Sequence, residues 1–234
     1  MAPGDRMDAI LHRLASLEAD GTGTVRLCQL AGEITGVSGA SILLLSDDLV
    51  RGSLCTTDGV AAYLDDLQLT LGEGPALDAH ATGRPVLEPD LASPVEHRWP
   101  VLTEPAIGAG VRAVFSFPAR IGTVRLGALT LHRGVAGPLS DEQFAQAQTM
   151  ALVATRTILA MQADAPPGTV AAELEDGANF HLVVHQAAGM VSVQLGIGVT
   201  EALVRLRGHA FLAGRTLDAV SRDIVDRVLR LDVT

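Results

Sequence analysis

The chain has 234 residues, 48% of them hydrophobic and 19% charged, with a net charge of −10. That composition is globular and excludes a disordered chain, and no apolar run approaches the roughly 20 residues that a membrane-crossing helix needs. The acidic balance argues against a nucleic-acid partner for the chain as a whole.

In chain order, residues 7–19 carry Met7, Ile10, Leu11, Leu14 and Leu17 at helical spacing. Acids interrupt that apolar pattern, so the N-terminus does not read as a secretory signal, and a cytoplasmic protein is expected. A second helix spans 24–35. ASILLLS at 40–46 is too short for a helix and reads as a buried strand, with 52–57 returning beside it. Cys28 and Cys55 have no metal-ligand spacing and read as reduced, buried small hydrophobes. A surface helix follows at 58–66. LGEGP at 71–75 is a tight turn, because a lone G-x-G lacks the third glycine and the strand-to-helix frame of a dinucleotide site. A helix from Ala76 to Thr82 stops at Gly83. Residues 85–91 are extended. A Pro-rich, partly helical loop leads to Gly110. Residues 111–121 and 124–133 alternate as a hairpin across Gly122-Thr123. Ser140 to Gln143 is a capping box opening a long helix to about Gln162. DAPPGT at 164–169 marks a linker.

The last stretch holds three short helical patterns. Val184, Ala188, Val191 and Leu195 line the first, which Gly196 and Gly198 end. Thr200 is the expected N-cap of the second, with Leu203, Leu206 and Ala210 inward. Gly214 closes it, and Thr216 caps a third helix that carries Leu217, Val220, Ile224 and Leu231. The chain therefore divides into an α+β domain over 1–163, with an antiparallel sheet and flanking helices, a linker over 164–176 and a three-helix bundle over 177–234. Residues 177–234 hold six arginines against five acids, so the bundle is +1 and the remainder −11. That asymmetry is mild support for a polyanion-facing tail on an acidic body.

Two family resemblances are carried by these segments. LGEGPALDAHATGRPVLEPDL at 71–91, RWP at 98–100, GVRAVFSFPARIG at 110–122 and RLGALTLHR at 125–133 resemble a GAF domain. QAAGM at 186–190, EALVRLR at 201–207, HAF at 209–211 and GRTLDAVSRDIV at 214–225 resemble an ANTAR domain. Together they look like the actinobacterial regulators that join the two. The resemblance implies a transcription antitermination regulator, with a sensor domain that positions paired RNA-binding domains on stem-loops of leader transcripts. It also implies a pocket for a small-molecule ligand in the sensor. The chain departs from the pattern twice. Ala76 stands where relatives often have Cys after GEGP, so covalent thiol chemistry is not available there. Ala187-Ala188-Gly189 lacks the basic residue of an A-K-G pattern, which removes one phosphate contact.

The tail arginines sort by spacing. Glu201 to Arg205, Asp218 to Arg222, Asp223 to Arg227 and Asp226 to Arg230 are acid-to-base pairs at i,i+4, which gives those arginines a structural role. Arg207 and Arg215 have no such partner, so they are the first candidates for RNA phosphate, with Arg205 and His209 second. Ala187, Ala188 and Gly189 either admit close approach of an RNA backbone or base, or pack where helices cross tightly. Phe211 reads as core. His181 and His185 lie four apart, but no third ligand is near, so no metal is expected. No Ser/His/Asp or Cys/His order points to an enzyme, and no cofactor is expected. The helices Met7–Ala19 and Ser140–Gln162 should lie together on one face of the sheet and carry more apolar surface than one core needs, which predicts a homodimer. The alternative reading is a ligand-sensing or protein–protein signalling module whose C-terminal bundle only dimerises.

Overall fold

The computed structural model describes residues 7–10, 12–13, 23–46, 49–93, 98–164 and 175–231. Helix α1 (Gly23–Thr35) leads into strands β1 (Gly39–Ser46) and β2 (Leu49–Thr56), then helices α2 (Gly59–Leu71) and α3 (Pro75–Thr82) and strand β3 (Val86–Glu88). Short helix α4 (Thr103–Gly108) precedes β4 (Ala113–Ile121), β5 (Val124–Arg133) and the long helix α5 (Asp141–Asp164). Helices α6 (Glu175–Leu195), α7 (Val199–Leu212) and α8 (Leu217–Val225) follow.

The five strands form one antiparallel sheet in the order β2-β1-β5-β4-β3. Strand side chains alternate between faces, and β1 shows this directly. Ala40, Ile42 and Leu44 enter a core shared with α1 and α5, while Leu43 and Leu45 enter a second core under α2, α3 and α4. The α+β expectation is therefore met by a sheet with helices on both faces. The capping box also forms: Gln143 N–H donates to Ser140 Oγ, and Ser140 N–H donates to Gln143 Oε1.

The LGEGP turn owes its shape to geometry. Gly72 caps α2 in the left-handed region, and at Gly74, with φ 140°, a Cβ would come within 2.5 Å of Gln68. Gln68 Oε1 accepts the Ala76 N–H, and Glu73 Oε1 accepts the Val101 and Leu102 N–H groups. The motif thus ties three segments of the second core together, as the turn reading requires.

Three expectations change. Cys28 and Cys55 are joined in a disulfide, with Cα atoms 6.0 Å apart. Packing of α1 on β2 brings them together across 27 residues, which no local spacing rule reveals. Second, α7 begins at Val199 with Gly198 as N-cap, not Thr200. Third, α8 stops at Val225 instead of continuing to Leu231. The part of the first predicted helix at 14–19 and the linker stretch 165–174 lie outside the described residues.

Met7 and Ile10 share the α1–α5 core with Met150, Val153 and Ile158, so the first and long helices do lie on one face of the sheet. The surplus apolar surface expected on α5 is not found. Among the described residues none of its large hydrophobics is exposed, and Leu152 and Met161 are partly buried against the same core.

Asp65 on α2 is fully buried and accepts hydrogen bonds from Ser41 Oγ and Ser53 Oγ, both at 2.7 Å. Burial outweighs those bonds and pushes its carboxyl from 3.8 up to about 7. Between these values the folded protein holds a proton that the unfolded chain has released. The Asp65 contribution to stability therefore falls as pH rises from about 4 to about 7, and is flat above. Asp65→Asn should remove this component. The difference in denaturation midpoint between variant and wild type, followed from pH 4 to 8, should shift in favour of the variant as pH rises; a constant difference contradicts the assignment.

Candidate nucleic-acid interface

Helices α6, α7 and α8 form a bundle around Val184, Val191, Leu206, Val220 and Ile224. Thr216 Oγ1 caps α8 by accepting the Ala219 N–H. Small residues allow the helices to cross closely: Ala187 is 0% and Ala188 1% exposed. Both therefore belong to the packing, and the expected RNA access at these two positions is not available. Gly189 differs. It reaches the surface, and a Cβ there would meet nothing within 4 Å.

The arginines sort differently from their spacing. Arg222 forms the expected two-pronged pair with Asp218 at 2.8 and 3.1 Å, and Arg205 lies 3.5 Å from Glu201. Arg215 is not free: it pairs with Asp223 at 2.8 Å. Because α8 ends at Val225, Asp223 cannot serve Arg227 along a helix, and it turns to Arg215 instead. Arg207 has no carboxylate partner among the described residues, but it is half-buried against Gly72 of the α+β domain rather than part of an open positive surface. The reason for choosing Arg215 is thus removed, and Arg207 has a different setting from the one expected. His209 lies half-buried in the last turn of α7. Phe211 is 46% exposed, not core.

Two of the four arginines that spacing pairs with acids, Arg227 and Arg230, have no side-chain ion pair or hydrogen bond among the described residues. Both border a groove of about 810 Å3 between α6 and the segment after α8. Gly189, Met190 and Val193 form one wall, and Ile224 and Leu229 the other. Gln194 Nε2 donates to Leu231 O and so pins the far wall to α6. Gln186 also lines the groove. Arg227 has φ 60°, and it is the one non-glycine residue with positive φ among those described. The Val228 and Leu229 N–H groups fold back to Asp223 O, a helix-ending turn whose left-handed position usually belongs to glycine. An L side chain there costs on the order of 1 kcal/mol, and such strain clusters at functional sites. No Gly or Pro marks the end of α8, so helical periodicity alone could not reveal these two residues.

Chemically, the groove offers two guanidinium groups for phosphate, one amide for a base edge, and an apolar floor that a glycine leaves open. His185 lines no metal cluster: among the described residues no group of three or more His, Cys, Asp or Glu is placed to hold an ion. The side chain of His181 lies outside the described residues.

The sheet order, the helices on both faces and the LGEGP turn define a sensor-type α+β domain with an appended helical bundle. The chain belongs to the GAF domain family, which matches residues 26–158, and it thereby carries a signalling and ligand-sensing module. The match ends before α6, so the bundle lies outside it. Among solved structures, the GAF domain of a phosphoenolpyruvate-protein phosphotransferase from Coxiella burnetii is 16% identical with a TM-score of 0.50, over 68% of this chain and 95% of that one. The corresponding domain from Acinetobacter is 13% identical with a TM-score of 0.49, over 70% and 98%. These likenesses concern the fold. No curated protein matches the chain in sequence.

Proposed function

We propose that the chain is a non-enzymatic, cytoplasmic regulator in which the GAF domain reads a signal and the C-terminal bundle binds RNA hairpins in the manner of an ANTAR domain, favouring the antiterminated transcript. One observation carries the RNA reading. The strained left-handed position after α8 is filled by an arginine whose side chain has no partner among the described residues and which lines the groove of about 810 Å3 in the bundle. Resemblance of residues 186–225 to the ANTAR pattern supports it. Residues 177–234 carry +1 against −11 for the remainder, but α6 begins at Glu175, and with Glu175 and Asp176 the whole bundle carries −1.

A reading in which the groove only seats a second copy draws on Val193, which is 86% exposed. It gives no reason for Arg227 to hold a glycine position. Filter binding of the full chain to a two-hairpin RNA and to an unstructured RNA of the same composition separates the two. RNA binding predicts stronger retention of the hairpins than of the unstructured RNA, with an affinity that falls as salt rises; equal, negligible retention of both supports the dimerisation reading.

We retain the homodimer through residues 7–19 and α5 as part of this proposal only because two bundles are needed for two hairpins, since α5 shows no surplus apolar face to carry it. Light scattering on a size-exclusion column at micromolar concentration should give twice the 24.3 kDa chain mass, and a monomer there removes the pairing.

A further inference from the structure

We propose that Arg207, seated over the C-terminal end of α2, latches the bundle onto the GAF domain, and that movement of α2 releases it. The latch itself is independent of RNA; its regulatory consequence rests on the RNA-binding reading above.

Helix α2 faces two ways. On its inner side Asp65 is bonded to β1 and β2, and Gln68 holds the LGEGP turn. On its outer side Thr70 Oγ1 accepts the Leu217 N–H at 3.2 Å. Leu217 is the first residue of α8, where an N–H has no acceptor within its own helix. The sensor thus supplies part of the cap of a bundle helix. Two residues further, the Arg207 guanidinium covers Gly72, and a Cβ at that position would come within 3.0 Å of Nη1. A cation at a helix C-terminus is favoured by the backbone dipoles.

Other terms oppose this docking. Arg207 Nε is buried without a hydrogen-bond partner, and burial holds the group below the usual arginine range. Asp66 on α2 is pushed up by burial and then by Asp218 of α8, so like charges face each other across the contact. A cleft of about 180 Å3 remains between Leu67 and Leu71 of α2 and Phe211 of α7. Favourable and unfavourable terms of similar kind meet where α7 and α8 touch α2, while α6 runs against β2 and holds the bundle to the sensor on another side, so the α2 face is the one poised to open. A shift of α2 driven from its inner face changes both the Thr70 and the Gly72 contacts. Release would add Arg207 to the groups that can reach RNA phosphate.

The test uses the full chain with Arg207→Gln and Thr70→Val, which remove the two contacts separately, and Arg205→Gln as a control on the exposed face of α7. Amide hydrogen exchange over residues 217–224 should speed up on the order of tenfold in the first two variants, because local opening sets that rate. The radius of gyration by X-ray scattering should rise with it, and exchange in β1 should stay as in wild type. Unchanged exchange and radius in both variants, or an equal change in Arg205→Gln, overturn the latch. Thr70→Val leaves every arginine in place, so its hairpin affinity should exceed that of wild type several-fold. Faster exchange with unchanged affinity, in a wild type that binds hairpins, overturns control of RNA binding by the latch. Failure of wild type and variant alike to bind RNA sinks the proposed function, and the exchange result alone then decides the latch.

Discussion

Arg227→Gly should separate stability from binding. Glycine takes the left-handed position without a Cβ clash, so the denaturation midpoint should hold or rise by up to about 1 kcal/mol. Hairpin affinity should fall by roughly tenfold, the usual scale for one lost charge-assisted phosphate contact. Adding Arg230→Ala should deepen the loss, and the slope of log K against log salt should drop by about 1.4 for the two contacts, at about 0.7 each on single-stranded loops. A variant that loses stability and keeps its affinity would show that Arg227 is held for packing. Arg215→Ala, the candidate that spacing singles out, is measured in the same assay. Because Arg215 pairs with Asp223, its loss should affect RNA less than that of Arg227.

Removing the Cys28–Cys55 bridge with a Cys28→Ala/Cys55→Ala double substitution should cost about 3 kcal/mol, the scale expected for a cross-link closing a loop of this length. The denaturant midpoint measures this, and reductant added in denaturant should reproduce it in wild type. Both cysteines are buried, at 0% and 6% exposure. Reductant therefore reaches them only when α1 or β2 opens, and folded wild type should resist it. A wild type whose midpoint does not respond to reductant added in denaturant would return the pair to the free thiols that sequence spacing suggested.

Much of the sensor domain was legible in the sequence because its signals are local. Alternation in residues 111–133 marks the β4–β5 hairpin, Ser140 and Gln143 mark the start of α5, and Gly83 marks the end of α3. The disulfide was not legible, since it depends on how α1 lies on β2. The arginines failed for a related reason. Acid-to-base spacing identifies a partner only while the helix continues, and α8 ends two residues before Arg227 without a sequence mark. Arg207 lacks a carboxylate among the described residues, as its spacing suggests, but its contact with Gly72 joins residues 135 positions apart, and no window on the sequence spans that. Small residues such as Ala187 and Ala188 fit packing and access equally in sequence, and their burial decides for packing.

The proposal places RNA in the groove between α6 and the segment after α8. Ultraviolet crosslinking of the full chain to a two-hairpin RNA, with the modified residues located by mass spectrometry, tests it most directly. Nucleotide adducts should fall within residues 186–194 and 227–230. Adducts confined to the sensor domain, or none above the level given by unstructured RNA, would contradict it.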